Sequence, residues 1–178
     1  MTCWTRKRIK KGLLILGFQL LGESERIGRG FLKPGVLIKE MAGAIGTRGM
    51  IGGQVVDLES QKRKIGPKEL VYIHQHKTAA LITTALRIGG IIGQVSPREL
   101  KALTDFGQAL GLSFQIVDDL LDKKEDKKGA SYPGLMGREK AEAKIKELTR
   151  KAEDSLKPLG PRGGILKAIN EVMVGRLA

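Results

Sequence analysis

Three aspartates close together carry the strongest chemical signal in this sequence. Residues 114–122 read Phe-Gln-Ile-Val-Asp-Asp-Leu-Leu-Asp, which places Asp118, Asp119 and Asp122 within about one helical turn of each other. Like charges three or four positions apart on a helix repel by a few tenths of a kcal/mol per pair. A bound cation would reverse the sign of that interaction.

A carboxylate group of this kind suits a magnesium ion. Mg²⁺ takes oxygen ligands and is commonly held by one or two carboxylates together with substrate phosphates. Gln115 stands close by on the same helix. The alternative is an exposed acidic turn that pairs with the adjacent Lys123 and Lys124. The residues by themselves leave both interpretations open.

The aspartates lie in the best-marked helix of the chain. Ser96, Pro97 and Glu99 provide an N-cap, a first-position proline and a capping-box glutamate. On a helical wheel Asp118 falls at the edge of the apolar stripe, and Asp119 lies furthest from it. We therefore expect the carboxylates to border a polar cavity in a helical bundle. The apolar stripe consists of Leu100, Leu103, Phe106, Leu110, Phe114, Val117 and Leu121.

A second long helix is predicted over residues 67–92. Lys77 falls on its apolar stripe, although lysine is almost never fully buried unless it is paired. Either its ammonium reaches the surface along an apolar stem, or it points inward toward an anion. The stripe that we expect to be buried comprises Leu70, Ile73, Leu81, Thr84 and Ile88.

Glycine is concentrated in residues 42–54, and we expect it to allow close helix packing. No Gly-Lys-Ser/Thr follows, which excludes a phosphate-binding loop of the Walker type. Residues 137–177 are predicted to form two helices separated by the prolines at 158 and 161. No segment has a convincing strand pattern. The sequence therefore predicts an all-α fold.

Length and charge restrict the function further. The 178 residues suffice for one domain, and the net charge of +13 favours anionic partners, namely nucleic acid, an anionic membrane surface or phosphorylated small molecules. Aromatic residues make up only 4%, which argues against nucleic acid because stacking platforms are scarce. The single cysteine, Cys3, suits a reducing compartment, and we expect the cytoplasm.

The apolar run at residues 13–21 follows a basic cluster and could be mistaken for a signal peptide. It lacks a small-residue cleavage site, and it is too short for a membrane span. We expect a core helix instead.

Three blocks of residues occur in an order and spacing that identify a family. They read Gly-Met-Ile-Gly-Gly-Gln-Val-Val-Asp-Leu at 49–58, Ile-His-Gln-His-Lys-Thr at 73–78, and the aspartate-containing string at 114–122. The sequence Tyr-Pro-Gly-Leu-Met-Gly at 132–137 extends the pattern. Together they resemble the trans-type polyprenyl diphosphate synthases, which include the farnesyl and geranylgeranyl diphosphate synthases.

The resemblance implies an isoprenoid synthase-type helical bundle around a deep cavity, a requirement for magnesium, and condensation of isopentenyl diphosphate with an allylic diphosphate. Asp118, Asp119 and Asp122 look like the second aspartate-rich motif of the family and would bind the metal, Asp118 most directly. Lys77 looks like the lysine that contacts the allylic diphosphate. The residues that would line the same pocket are Thr78, Gln115 and Gln54, with Asp57 in the Gly-Gln block facing the cavity.

Two departures from the family pattern affect the expected activity. The sequence has no first aspartate-rich motif before residue 114, and the loop after Asp122 is short, with Gly129 where a lysine is usual and Lys127 and Lys128 nearby. The chain thus resembles the C-terminal portion of a synthase, a single partial domain over residues 1–178 that is incomplete at its N-terminus. We expect little or no synthase activity from this polypeptide alone.

Two alternatives to a catalytic role follow from the same residues. A noncatalytic partner subunit could associate with a complete synthase, and an apolar patch left open by the missing helices would favour such association or a homodimer. A basic protein that binds nucleic acid or a membrane surface would rest on the net charge alone. We prefer the reading in which the positive charge serves diphosphates.

Overall fold

The computed structural model describes residues 3–27, 33–122 and 130–177. No strand occurs in these ranges, which confirms the prediction of an all-α fold. The helices are α1 (Cys3–Gly22), α2 (Ser24–Ile27), α3 (Pro34–Ile45), α4 (Met50–Ser60), α5 (Pro67–His74), a π-helical turn (Gln75–Ala79), α6 (Ala80–Ile92), α7 (Pro97–Leu121), α8 (Tyr132–Met136), α9 (Arg138–Ser155), a 3₁₀ segment (Lys157–Gly163), α10 (Gly164–Val174) and a terminal 3₁₀ turn (Gly175–Leu177).

The central helix α7 begins at the capping box that the sequence predicts. The backbone N–H of Glu99 donates to Ser96 Oγ at 3.3 Å, and the backbone N–H of Ser96 donates to the Glu99 carboxylate at 2.8 Å. These two bonds satisfy donors that have no partner within the helix. The start of α7 is therefore encoded locally.

Other elements surround α7 on several sides. It packs against α5, the π-helical turn, α6, α8, α9 and α10. Phe106, Ile116 and Val117 on α7 are fully buried, and they join Ile145 and Leu148 of α9 in the hydrophobic core. Since residues 109–113 are all buried, α7 has no single apolar face. A stripe drawn on a helical wheel describes such a helix poorly.

The predicted helix over residues 67–92 is present, but the π-helical turn interrupts its regular geometry. A π-turn closes i→i+5 hydrogen bonds and adds one residue to the turn, which rotates everything that follows. Leu70, Ile73, Thr84 and Ile88 are buried as predicted, and Thr83 is buried as well, whereas Leu81 is 39% exposed. The prediction was wrong for Leu81 alone, since the exposure of a side chain depends on what packs against it and not only on its place in a repeat.

The run at residues 13–21 is helical, but the expectation of a core helix was wrong for the chain as described. Leu13 and Ile15 on α1 are 62% and 61% exposed, and Leu20 is 52% exposed. The reason is that α1 packs mainly against α3 and the short α2, so that most of its surface has no neighbour among the described residues. None of the described helices combines the length and the apolar character needed to cross a membrane.

An ion pair links α3 and α6. Arg87 donates from Nε and Nη2 to the two carboxylate oxygens of Glu40, both at 2.7 Å, and from Nη1 to Thr104 Oγ1 on α7 at 2.9 Å. The hydrogen bonds and the charge of Arg87 hold the pKa of Glu40 below its ordinary value of 4.5. The carboxylate form is therefore favoured in the folded state.

This pair predicts a pH-dependent contribution to stability. A lowered folded-state pKa stabilises the protein above the ordinary pKa of Glu40, and the contribution is lost as the pH falls through the folded value. We expect Glu40→Gln to lower the free energy of unfolding by about 1 kcal/mol at neutral pH and by less below about pH 4, as measured by urea unfolding. Glu142→Gln, which breaks an exposed i,i+4 pair with Arg138, is the control and should cost under about 0.5 kcal/mol. Equal losses from both variants would contradict this role.

Candidate functional site

Lys77 lies in the π-helical turn and pairs with α4. Its Nζ is 2.7 Å from Asp57 Oδ2, and Gln54 Nε2 donates to the same oxygen at 3.2 Å. The side chain of Lys77 is 37% exposed. The ammonium is thus both paired and accessible, which combines features of the two alternatives that the sequence left open.

A glycine sets the spacing between α4 and the π-helical turn. A Cβ atom at Gly53 would lie 2.6 Å from the backbone N of Lys77 and 2.7 Å from Cβ of His76, which is closer than such atoms approach. The two backbones can meet at this distance only where no side chain intervenes. The predicted close packing through glycine is confirmed at Gly53, although Gly43 has open space around it.

Two contacts align the segment α5, π-turn and α6 with α7. At one, a Cβ on Gly111 would lie 2.5 Å from Cα of Ala79. At the other, His74 Nε2 is 3.6 Å from Asp119 Oδ2. Along the chain, Lys77 lies between His74 and Ala79, and Gln115 on α7 lies between Gly111 and Asp119. Thr78 and Gln115 are both partly buried.

Asp119 is buried, at 8% exposure, so its expected place furthest from the core was wrong. Its Oδ2 accepts a 2.6 Å hydrogen bond from the backbone N–H of Tyr132, the first residue of α8, and it faces His74 on α5. The error has a physical cause, because α5 and α8 cover the flank of α7 that the wheel assigned to solvent. Its role as a metal ligand remains a prediction.

Asp118 occupies a more open position and already has a cationic neighbour. Arg176 Nη1 in the terminal 3₁₀ turn donates to Asp118 Oδ1 at 2.8 Å. The guanidinium carbon of Arg176 also lies 5.2 Å from the ring centroid of Phe114. Sequence analysis missed Arg176, since nothing in the local sequence indicates a contact across 58 positions.

The donor atoms of the triplet suit magnesium in kind, but the triplet does not form a compact cage. Asp122 is exposed and is the C-cap residue of α7. Its backbone N–H donates to the Asp118 carbonyl at 2.9 Å. No group of three or more potential metal-binding side chains is found in the described ranges. A carboxylate such as Asp118 still fits Mg²⁺ when substrate phosphates complete the coordination.

His74 and His76 have different partners. His74 is buried beside Asp119, whereas His76 Nδ1 lies 2.8 Å from the Tyr72 carbonyl and its ring stacks on Tyr72 at a centroid distance of 3.9 Å. The two imidazoles therefore do not converge on one metal ion.

A cavity of about 480 Å³ lies beside the π-helical turn. Its polar lining includes Arg48, Gln75, His76 and Gln108, but neither Lys77 nor the aspartates. A second, apolar groove of about 610 Å³ runs between α6, α7 and α10. The predicted short loop with Lys127 and Lys128 falls on residues 123–129, which lie outside the described ranges.

Solved structures place this bundle in a known class. The chain matches an FPP/GFPP synthase from Zymomonas mobilis with a TM-score of 0.81 and 31% identity, covering 92% of this chain and 59% of that one. It also matches a geranyltransferase from Helicobacter pylori complexed with magnesium and isoprenyl diphosphate, with a TM-score of 0.71 and 26% identity over 94% of this chain and 58% of that one. The fold is that of an isoprenoid synthase-type helical bundle.

The family follows from the sequence. The family model described as polyprenyl synthetase matches residues 13–133. The chloroplastic heterodimeric geranylgeranyl pyrophosphate synthase large subunit 1 of Arabidopsis thaliana is 40% identical over 135 residues, which cover 67% of this chain and 36% of the relative. This chain belongs to the polyprenyl synthetase family. It spans less than two thirds of the length of these relatives.

Proposed function

We propose that this chain supplies one part of a magnesium-dependent diphosphate site for prenyl transfer in isoprenoid biosynthesis. The observation that supports this most directly is the accessible ammonium of Lys77. It pairs with Asp57, which also accepts a hydrogen bond from Gln54, and it belongs to a π-helical turn that packs against the aspartate-bearing α7. A leaving diphosphate requires cationic side chains and metal ions to neutralise its charge. This site combines a cation with the oxygen ligands that magnesium needs.

Each residue has a proposed role. Lys77 binds the oxygens of an allylic diphosphate, Asp57 restrains its ammonium, and Gln54 donates to the Asp57 carboxylate. Asp118 holds magnesium, with Asp122 and Asp119 as further candidate ligands. The bound metal neutralises the diphosphate and so favours its departure. Thr78 and Gln115 would complete the proposed substrate-binding site. Both are partly buried, Thr78 in the π-helical turn and Gln115 on α7.

The proposed substrates are an allylic diphosphate and isopentenyl diphosphate. Because this sequence contains only one aspartate triplet, at residues 118–122, we propose that the chain binds the diphosphate but has little or no synthase activity alone. Synthesis depends on several divalent ions around the departing diphosphate, and one triplet holds fewer of them. The proposed location is the cytoplasm.

A second candidate function is that of a partner subunit. The exposed apolar residues of α1, together with Ile51 and Val55 of α4, support a surface that another chain covers. One relative is named as the large subunit of a heterodimeric synthase. The partner would be a second copy of this chain or a complete synthase.

One experiment separates binding, catalysis and partnership. We expect isothermal titration with Mg²⁺ and a nonhydrolysable allylic diphosphate to detect binding by the chain, and Asp118→Asn to weaken it about tenfold or more because a charged ligand is lost. Asp105→Asn is the control, since Asp105 pairs with Lys101 on the exposed start of α7. Turnover with isopentenyl diphosphate is measured for the chain alone and after mixing with a complete synthase.

The outcomes differ for each function. Equal binding by the wild-type chain, Asp118→Asn and Asp105→Asn would contradict the diphosphate site. Normal turnover by the chain alone would overturn the proposal that it binds the diphosphate with little or no synthase activity. A changed product length only in the mixture, with a stable complex by light scattering, would favour the partner subunit.

A further inference from the structure

Arg176 makes two contacts with the same edge of α7. Its Nη1 is 2.8 Å from Asp118 Oδ1, and its guanidinium carbon is 5.2 Å from the Phe114 ring centroid. Phe114 and Asp118 are four residues apart and therefore neighbours on the helix surface. The guanidinium spans both, with an ion pair on one side and a cation–π contact on the other.

The position of Arg176 conflicts with a bound metal ion. Mg²⁺ requires ligand oxygens at about 2.0–2.1 Å in near-ideal octahedral geometry. A guanidinium that donates to the Asp118 carboxylate competes for its lone pairs, and it places a positive charge within a few ångströms of any ion on the second oxygen. A tightly bound cation and this arginine contact are therefore mutually unfavourable.

We propose that Arg176 is the counter-cation of Asp118 in the metal-free chain and that a divalent cation displaces it from the carboxylate. This inference rests on the proposed function, since it requires Asp118 to be a metal ligand. Displacement releases the terminal 3₁₀ turn, Gly175–Leu177, from α7. Metal binding at the aspartates and order at the end of α10 are thereby coupled.

The strength of the contact sets the size of the effect. The Arg176 and Asp118 side chains are 41% and 30% exposed. Solvent screens such a pair, and with the cation–π contact it corresponds to a change of about threefold to tenfold in an equilibrium constant. Removing the guanidinium should tighten cation binding by this factor.

The test uses Mn²⁺ as a spectroscopic substitute for Mg²⁺, with binding to the full chain measured by electron paramagnetic resonance in the presence of the nonhydrolysable allylic diphosphate. We expect Arg176→Gln to tighten Mn²⁺ binding about threefold to tenfold, and Asp118→Asn to weaken it. Arg138→Gln removes the same charge from an exposed pair with Glu142 on α9 and should leave the affinity unchanged. Thermal unfolding without cation verifies that each variant is folded.

Hydrogen exchange provides a second measurement. In the wild-type chain Mn²⁺ should increase exchange in residues 173–177, whereas in Arg176→Gln exchange should already be fast and should not respond to Mn²⁺. Arg176→Lys, which keeps the charge but loses the planar fork, should fall between the two.

The outcomes separate the two proposals. If Asp118→Asn leaves Mn²⁺ affinity unchanged, Asp118 is not a ligand and the proposed metal site fails. If Asp118→Asn weakens binding but Arg176→Gln has the same affinity as Arg138→Gln, the metal site stands and the counter-cation role is wrong. Weaker Mn²⁺ binding in Arg176→Gln would also overturn that role.

Discussion

Gly111→Ala should lower the free energy of unfolding by about 2 kcal/mol and the melting temperature by about 4–8 °C. The added methyl group would lie 2.5 Å from both Cα and Cβ of Ala79, so α7 and the adjoining helix must separate. The steric cost exceeds the roughly 1 kcal/mol that alanine gains over glycine within a helix. Urea unfolding and calorimetry measure the change.

Gly43→Ala is the matched control for this substitution. Gly43 also lies inside a helix, α3, but nothing lies within 4 Å of a Cβ at that position. Alanine there should stabilise the protein by up to about 1 kcal/mol through its helix propensity. The two substitutions therefore have opposite predicted signs. A loss at Gly43 as large as that at Gly111 would contradict the claim that the contact with Ala79 makes the difference.

Lys77→Met should weaken binding of a nonhydrolysable allylic diphosphate by about 10- to 100-fold in the presence of Mg²⁺. Methionine preserves much of the apolar stem but removes the ammonium, and a hydrogen bond to a charged group contributes about 1.5–3 kcal/mol. Isothermal titration measures the affinity directly. Lys101→Met is the control, because Lys101 is 75% exposed and forms an i,i+4 pair with Asp105 near the start of α7.

Asp57 provides a further check on the role of Lys77. Asp57→Asn leaves the ammonium without its carboxylate partner at 2.7 Å, and we expect a several-fold weaker diphosphate affinity because Lys77 is less well positioned. In the double variant with Lys77→Met, the Asp57 substitution should have no additional effect on binding. Additive losses, or equal losses from Lys77→Met and Lys101→Met, would argue against this arrangement.

The apolar spacing and the capping signals were sufficient to predict several elements. Ser96 and Glu99 mark the start of α7, and Pro158 and Pro161 mark the break between α9 and α10. These signals work because they depend on residues within one or two turns. The prediction at Leu81 failed because a local repeat cannot reveal which elements cover a given helix face.

The candidate site was predictable as a set of residues, but its geometry was not. The motif named Lys77, Gln54 and the aspartates together, because the order and spacing of three blocks resemble a family. It could not assign partners within the set. Asp119 faces His74 and Tyr132, whereas Asp118 faces Arg176, and both differences arise from elements distant in the chain.

The sequence by itself determined the helical class of this protein, the start of its central helix and the polyprenyl synthetase resemblance. These properties are local or are carried by short motifs, so they survive without any knowledge of packing. Only the tertiary structure decided which aspartate is buried, which helix faces are exposed and which cation stands at Asp118. Each of these depends on contacts between residues far apart in the chain, and burial and pairing are determined by what packs against a side chain rather than by its own position along a helix.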